Sequence, residues 1–275
     1  MHLFIHRVFN PVVFLSPNLK EKSKKMTKKE LFDTIITRFT AQPEVKELIG
    51  NKVTIKTNSM TMDEALLIRD RRDFPNLSGK EVMIDAEFMD HHGQAFTDAP
   101  SAWAGSFEEL LKMDFENDPN TRGLLIASIN AVMGYLGKCN RTTHCKADGP
   151  KECACKILSE IENNYKGKKI LLVGFQPFIT NRFSEAEIDF KVLDLNPDNI
   201  GKEFYGKTIF DGGDKKLMQE FIGWADLILC TGSTVCNGTL VDYLDTGKET
   251  IFFGSTISGT AALLGLKRLC FADEV

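Results

Sequence analysis

The most regular pattern in the chain is a series of short apolar runs in its second half. The runs cover residues 169–175, 190–194, 226–229 and 250–254. They lack strict alternation of apolar and polar residues, which is typical of strands covered on both faces by helices. Segments 214–224 and 259–266 have apolar residues at helical spacing. The pattern therefore predicts a parallel sheet with interspersed helices, an α/β domain that begins near residue 168.

Two capping boxes mark helix starts in the first half of the chain. Thr27 and Glu30 have the required spacing, and Ser106 and Glu109 repeat it before a helix predicted to run through Lys112. Between the two helices, residues alternate as in strands and are then interrupted by turn-forming residues. These strand-like segments are 51–57 and 81–84. This half is predicted to be a small α+β domain built around a short meander.

A long apolar helix ends the first half. Asp118 followed by Pro119 predicts an N-cap and first helical residue, and the apolar residues up to Leu136 fall on more than one face. A helix of this kind belongs inside a core. The predicted organisation is a disordered extension at 1–26, an α+β domain at 27–136, a cysteine-rich connector and helix at 137–167, and a ligand-binding domain at 168–275.

Polar, glycine-containing loops follow the four predicted strands of the second half. In open α/β sheets ligands bind beyond the carboxyl ends of the strands, so loops 174–177, 194–197, 231–239 and 254–260 should converge. The third loop, T-G-S-T-V-C-N-G-T, is rich in hydroxyl groups that can bind a polar ligand. The predicted ligand-binding residues are Gly174, Phe175, Pro177, Asp194, Thr231, Gly232, Ser233, Thr234, Asn237, Gly238, Thr239, Gly254 and Ser255.

The spacing of Gly174 and Asp194 resembles that of folds in which a carboxylate holds a ribose hydroxyl. However, Gly174 is followed by Phe175, Gln176 and Pro177, so the G-x-G-x-x-G fingerprint of classical dehydrogenases is missing. Two interpretations stay open. Asp194 either binds a nucleotide-like ligand or is a solvated residue at the end of a strand.

Four of the seven cysteines lie in the predicted connector, together with His144. They are Cys139, Cys145, Cys153 and Cys155. Thiolates are soft ligands for transition metals and iron–sulfur clusters, and clustered cysteines in a reducing compartment favour metal or redox chemistry over disulfides. The spacing C-x5-C-x7-C-x-C matches neither zinc ribbons nor ferredoxins. A metal or cluster site with these five residues, a thiol redox pair, and cysteines without special chemistry all stay open.

Composition and charge narrow the range of partners. The 275 residues carry a net charge of -4 and no basic strip, which argues against nucleic acid as the main partner. The apolar first residues are interrupted by Arg7, Asn10 and Pro11, so they predict neither a membrane span nor a membrane partner. We expect a cytoplasmic protein with a small-molecule or metal ligand, and a homo-oligomer stays open.

The loop sequences resemble a prokaryotic family whose domain is named "putative heavy-metal chelation". The resemblance is carried by T-G-S-T-V-C-N-G-T at 231–239, V-G-F-Q-P at 173–177, F-G-S at 253–255 and S-I-N-A-V at 128–132. Members of this family join an enolase-N-terminal-like α+β domain to a Rossmann-like domain. The resemblance therefore implies a ligand or metal site in the cleft between the domains. Two features depart from the family pattern: Ser255 stands where a proline is expected, and the cysteine cluster is additional.

The combined hypothesis is a two-domain protein that binds a metal or a metal-containing small molecule, with an organic or nucleotide-like ligand on the loops. Two alternatives stay open. One is an enzyme that uses a nucleotide-type cofactor such as S-adenosylmethionine. The other is a thiol redox sensor or carrier.

Overall fold

The computed structural model describes residues 25–61, 82–145 and 148–272. The first of its two sheets is antiparallel and has four strands in the order β3-β2-β1-β4. Its strands are Lys52–Thr61 (β1), Val82–Phe88 (β2), His91–Thr97 (β3) and Trp103–Ser106 (β4). The strands predicted around 51–57 and 81–84 are present. The predicted 1–26 extension lies almost entirely outside the described residues.

Both predicted capping boxes form at helix starts. The Glu30 N–H donates to Thr27 Oγ1 at 3.2 Å while the Thr27 N–H donates to Glu30 Oε2 at 2.7 Å, and Ser106 and Glu109 make the equivalent pair. The helices of this half are Lys28–Thr40 (α1), Pro43–Leu48 (α2), Phe107–Leu110 (α3) and Pro119–Tyr135 (α4). Helix α3 ends two residues before the predicted Lys112.

Helix α4 lies at the centre of the molecule. Every residue from Thr121 to Met133 is buried, because the helix packs on β2 and β3 on one side and on helices of the second sheet on the other. Its approach to β3 is closest at Gly93, where a Cβ atom would lie 2.2 Å from Ala131 N and 2.3 Å from Ala127 O. The prediction of a helix buried on several faces is confirmed.

The second sheet has seven strands in the order β11-β10-β9-β5-β6-β8-β7. The strands are Ile170–Val173 (β5), Phe190–Asp194 (β6), Glu203–Phe204 (β7), Lys207–Asp211 (β8), Leu227–Thr231 (β9), Glu249–Phe253 (β10) and Arg268–Leu269 (β11). All pairings are parallel except β7 with β8. The four predicted strands and the α/β class are confirmed, whereas the short strands β7, β8 and β11 were not predicted.

The strand order places a ligand crevice beside β5. From β5 the chain passes to β6 on one side and later returns to β9 on the other. The loops that follow β5 and β9 therefore leave in opposite directions, and this is where open α/β sheets bind ligands.

Helices cover both faces of the second sheet. They are Gly149–Asn164 (α5), Pro177–Glu185 (α6), Lys215–Trp224 (α7), Thr234–Asn237 (α8) and Ser258–Leu264 (α9), and a 3-10 turn covers Thr239–Asp242. Leu171 and Val173 of β5 enter the core shared with α4, while Ile170 and Leu172 pack in a separate core with α5 and α6. No helix among the described residues is long and apolar enough to span a membrane.

The domain boundaries placed after residues 26, 136 and 167 stay predictions. Helix α4 packs against elements of both sheets, and α1 contacts α9 across the same junction. The two halves therefore share one continuous apolar core that includes residues of both sheets.

Candidate functional site

A cavity of about 420 Å³ lies where the two halves meet, beyond the carboxyl ends of β5, β6, β9 and β10. All four predicted loops line it, so their convergence is confirmed. The other walls come from Phe96 and Asp98 at the end of β3, from the connector, and from the start of α5. That the loops bind a ligand stays a prediction.

Gly174 allows the first loop to pack against the third. Its φ is +85°, and a Cβ atom at this position would lie 2.5 Å from Thr231 Cγ2. A side chain would therefore be strained by the backbone conformation and would also collide with Thr231. The glycine fixes the distance between the loops that follow β5 and β9.

Asp194 connects the first two loops. One carboxylate oxygen accepts the Phe175 N–H and the other accepts the Asn196 N–H, both at 2.6 Å. Burial raises the pKa of this carboxyl above its ordinary value, although the hydrogen bonds from the loop amides oppose the rise. The side chain of Asn199 and the Leu195 N–H also hydrogen-bond to this carboxyl group. Asp194 lines the cavity and could accept a hydrogen bond from a ligand there.

The hydroxyl groups of the third loop hydrogen-bond within the loop. Thr231 Oγ1 lies 3.3 Å from Ser233 Oγ, and Thr234 Oγ1 donates to the Thr231 carbonyl at 2.7 Å. Asn237 Oδ1 accepts both the N–H and the hydroxyl of Thr239, at 2.9 and 2.7 Å. These bonds hold the loop in one conformation. Four residues of the loop from Thr231 onward, together with Asn237 and Thr239, line the cavity.

Gly238 is the one predicted ligand-binding residue that lies outside the cavity lining. A Cβ atom there would lie 2.5 Å from Lys28 Cε, so this glycine packs against helix α1.

Asn130, a buried residue of α4, holds the fourth loop in place. Its Nδ2 donates to the carbonyls of Gln94 at 3.0 Å and Thr256 at 2.8 Å, and its Oδ1 accepts the Gly259 N–H at 2.7 Å. The Phe96 N–H also donates to Thr256 Oγ1 at 3.1 Å. This role of Asn130 was not predicted. The available signal was an amide in the apolar stretch from Gly123 to Met133, whose other polar side chain is that of Ser128.

A second kind of lining consists of an imidazole and three thiols. His144, Cys145 and Cys153 line the cavity together with Cys270, which was not predicted to belong to the site. The remaining predicted metal ligands, Cys139 and Cys155, lie outside the lining. Cys139 is half-buried and hydrogen-bonds to Ser258, whereas Cys155 is exposed.

The thiols of Cys145 and Cys153 are protonated at neutral pH. Burial raises the pKa of Cys145 to about 12, and repulsion between its thiolate form and those of Cys153 and Cys270 contributes to the rise. Burial also raises the pKa of Cys153 to about 11. A metal that binds these sulfur atoms must therefore displace their protons.

The side chains alone do not fit a resident metal ion. Within the described residues, no group of three or more histidine, cysteine, aspartate or glutamate side chains could hold one. Cys145 Sγ and His144 Nδ1 are 3.8 Å apart. A tetrahedral structural site needs four ligands at bonding distance. The five predicted ligands do not form such a site, and we derive no reaction step through a resident metal.

His144 is held by Cys145 and by β3. Its ring Nδ1 lies 2.7 Å from the Cys145 carbonyl oxygen, and its backbone N–H donates to Gln94 Oε1 at 2.7 Å. The ring packs perpendicular to Phe96, with the ring centres 5.3 Å apart. Burial lowers the pKa of His144, so the imidazole is neutral at physiological pH.

The charged side chains in the lining are all carboxylates. They are Asp98, Asp194 and Asp242, and no lysine or arginine of the described residues lines the cavity. Asp242 accepts hydrogen bonds from Lys25 Nζ and Lys215 Nζ, both at 2.7 Å. Burial favours the neutral acid, but these two bonds outweigh it, and the pKa of Asp242 lies below its ordinary value. The cavity surface is better suited to a cationic ligand than to an anionic one.

The thiols should differ widely in their rates of alkylation. Cys155 is exposed, whereas the raised pKa of Cys145 and Cys153 lowers their thiolate fractions near pH 8 by at least about a hundredfold relative to an ordinary thiol. We expect iodoacetamide to modify Cys155 first, as followed by peptide mass spectrometry. Replacing Cys155 with serine should remove the rapid phase. Rapid modification of Cys145 or Cys153 in the folded protein would contradict the burial that we describe.

Comparisons with other proteins agree with this architecture. Residues 158–267 match the model of the DUF364 family, which is described as "Putative heavy-metal chelation". A search of curated proteins found no match. The matched residues include all four loops, while His144, Cys145, Cys153 and Cys270 lie outside them.

Two solved structures are similar to the chain, and both belong to proteins of unknown function from the DUF364 family. The protein from Desulfitobacterium hafniense DCB-2 is 11% identical with a TM-score of 0.52, over 86% of this chain and 84% of that one. The protein from Pyrococcus horikoshii is 16% identical with a TM-score of 0.48, over 81% and 79%. The first comparison supports a common fold. The predicted family resemblance is confirmed, because residues 158–267 match the model of that family.

Proposed function

We propose that this protein binds a small metal chelate, an organic molecule that carries a metal ion, in the cavity between its two sheets. The observation that carries the proposal is the lining of a single cavity by two kinds of chemical group. Hydroxyl and amide groups of the loops are suited to the organic part of the ligand. The imidazole and thiols are suited to a transition metal.

The organic part of the ligand would bind the loops that follow β5, β6, β9 and β10. The cavity volume of about 420 Å³ falls in the range of small-molecule sites, which are mostly apolar with a few convergent polar groups. Phe175, Tyr243 and Phe253 supply apolar surface, while Thr231 and Asp194 supply polar groups. Because these loops are already fixed by internal hydrogen bonds, binding would cost little ordering of the protein.

The metal would enter as part of the ligand. Asp98 and Asp194 line the cavity without a lysine or arginine of the described residues in the lining, which favours a cation, whereas the charge of Asp242 is compensated by Lys25 and Lys215. The same described residues do not supply a complete set of metal ligands. An organic chelator that fills most coordination positions would remove the need for such a set. The family description, heavy-metal chelation, agrees with this chemistry.

A melting-temperature panel tests the proposal. The probes are Zn(II) complexes of diethylenetriamine and of iminodiacetate, which leave coordination positions open, with the saturated Zn(II)–EDTA complex as control. A ligand present at about 100 times its Kd should stabilise the native state by about 2.7 kcal/mol. We expect a higher melting temperature with at least one open chelate and no change with the EDTA complex. No rise with either open chelate would overturn the proposal.

A charged substitution at Leu195, an exposed residue of the cavity lining, tests whether the chelate binds in the cavity. Leu195 lines the cavity and is 47% exposed, so a longer polar side chain can be placed there without disturbing the core. An arginine at this position should weaken the binding of a dication about tenfold or more by Coulomb repulsion. Leu195→Gln, of similar size but neutral, is the matched control. Equal stabilisation of Leu195→Arg and Leu195→Gln would place the chelate elsewhere.

S-adenosylmethionine belongs in the same panel. Asp194 is the last residue of β6, the position that a ribose-binding carboxylate would occupy. However, both of its oxygens already accept hydrogen bonds from backbone N–H groups of the loops. Stabilisation by S-adenosylmethionine, with none by the chelates, would favour an enzyme with a nucleotide-type cofactor over chelate binding.

A further inference from the structure

We infer that Nε2 of His144 is the protein nitrogen that coordinates the metal of the bound chelate. The inference rests on the proposed function and adds the protein's own contribution to the coordination sphere. Its basis is an imidazole that is held in one tautomer and belongs to a residue that lines the cavity.

The hydrogen bond at Nδ1 determines the tautomer. Nδ1 of His144 lies 2.7 Å from the carbonyl oxygen of Cys145, and a carbonyl oxygen can only accept. The proton must therefore reside on Nδ1. A neutral imidazole has one N–H group, so Nε2 carries a lone pair.

This arrangement is the one that metal-binding histidines adopt. Such residues donate the N–H of one ring nitrogen to a carbonyl or carboxylate, which orients the ring and makes the other nitrogen a better ligand. In His144 the carbonyl comes from the next residue in the chain.

Nε2 is not a fully buried atom. Among the described residues no group is hydrogen-bonded to it, and a fully buried nitrogen without a partner would count among the unsatisfied buried atoms, where Nε2 does not appear. His144 itself lines the cavity. A chelate bound in the cavity would therefore lie beside the residue that carries this lone pair.

Strand β3 holds the connector that positions the ring. The Gln94 N–H donates to the Thr142 carbonyl at 2.8 Å, and Thr142 Oγ1 donates to the His92 carbonyl at 2.7 Å. Gln94 Oε1 then accepts the His144 N–H, and Phe96 supports the ring. These contacts fix the imidazole before any ligand binds, as a preorganised ligand requires.

A single protein nitrogen agrees with the lack of a complete site. Zn²⁺ is usually four-coordinate, so a chelator with three donors leaves one position for the protein. His144 would fill that position. The cavity would then discriminate between chelates with an open position and saturated ones.

Nitrogen NMR of a single-histidine protein tests the inference. In the full chain, His2, His6, His91 and His92 are replaced with alanine, which leaves His144 as the last of the five histidines. Near pH 8 the ¹⁵N-histidine spectrum should show Nδ1 protonated and Nε2 unprotonated. Adding Zn(II)–diethylenetriamine should shift the Nε2 resonance and leave Nδ1 protonated. A proton on Nε2 before addition, or an unchanged Nε2 resonance when the melting temperature rises, would overturn the inference.

Affinity measurements separate this inference from the proposed function. His144→Ala should weaken Zn(II)–diethylenetriamine binding at least about tenfold by calorimetry. His92→Ala is the control, because the exposed His92 pairs with Asp85 outside the cavity. If His144→Ala binds as tightly as wild type and Cys145→Ser does not, a thiol is the ligand; the inference fails and the proposed function stands. Melting curves without ligand confirm that each variant is folded.

Discussion

Replacing Asn130 with alanine is expected to lower the free energy of unfolding by about 3–5 kcal/mol. The amide group of Asn130 hydrogen-bonds to the backbones of β3 and of the loop after β10, at 2.7 to 3.0 Å. Alanine would leave three backbone groups without this partner in a buried environment, and each unsatisfied group costs about 1–3 kcal/mol. Urea unfolding followed by circular dichroism measures the loss.

Ser128 provides a matched control in the same helix. Its side chain is fully buried, and its hydroxyl has no hydrogen-bond partner among the residues that the structure describes. Removing the hydroxyl leaves no partner unsatisfied, so we expect Ser128→Ala to change stability by less than about 1 kcal/mol or to raise it. If Ser128→Ala and Asn130→Ala destabilise the protein equally, the loss is due to packing and the hydrogen bonds of Asn130 have no special importance.

Replacing Gly93 with alanine should destabilise the protein by about 3 kcal/mol or more. The new Cβ would lie 2.2 Å from Ala131 N and 2.3 Å from Ala127 O. Both atoms belong to the backbone of the central helix, so no side-chain rotation relieves the collision. Helix α4 would have to move away from β3, and with it the amide of Asn130. Thermal unfolding of Gly93→Ala measures the effect.

Gly223 is the matched control for this substitution. It lies in helix α7, and a Cβ atom there would meet no described atom within 4 Å other than those of the adjacent helix backbone. Alanine favours a helix over glycine by roughly 1 kcal/mol, so Gly223→Ala should be neutral or stabilising. A Gly93→Ala variant as stable as Gly223→Ala would contradict the close packing of α4 on β3.

The parallel sheet and the place of the cavity could be predicted because their signals are local. Each of the strands β5, β6, β9 and β10 is an apolar run of ordinary length followed by a polar loop. Parallel strands bring their carboxyl ends to one edge, so the convergence of the loops followed from the strands alone. The capping boxes at Thr27 and Ser106 were equally local, and both form.

Which cysteines line the cavity could not be predicted in the same way. Cys153 and Cys155 are two residues apart in α5, and residues at this spacing point in different directions, so that one lines the cavity and the other is exposed. Cys270 follows the edge strand β11, whose place beside β10 depends on long-range pairing. Its neighbours in the sequence, Leu269 and Phe271, are apolar and give no signal of a ligand site.

The tautomer of His144 also depends on tertiary contacts. The sequence shows a histidine next to a cysteine, but the approach of Nδ1 to a carbonyl requires the connector to follow β3. The hydrogen bonds of Gln94 and Thr142 that establish this path join residues about 50 positions apart. No periodicity or spacing encodes such contacts.

The most direct test of chelate binding in this cavity is a crystal structure of the protein with Zn(II)–diethylenetriamine, with the metal located by anomalous scattering at the zinc edge. We expect one strong peak inside the cavity, at bonding distance from His144 Nε2 and between the loops that contain Thr231 and Asp194. An empty cavity with zinc only at exposed residues such as His92 or Cys155 would contradict it.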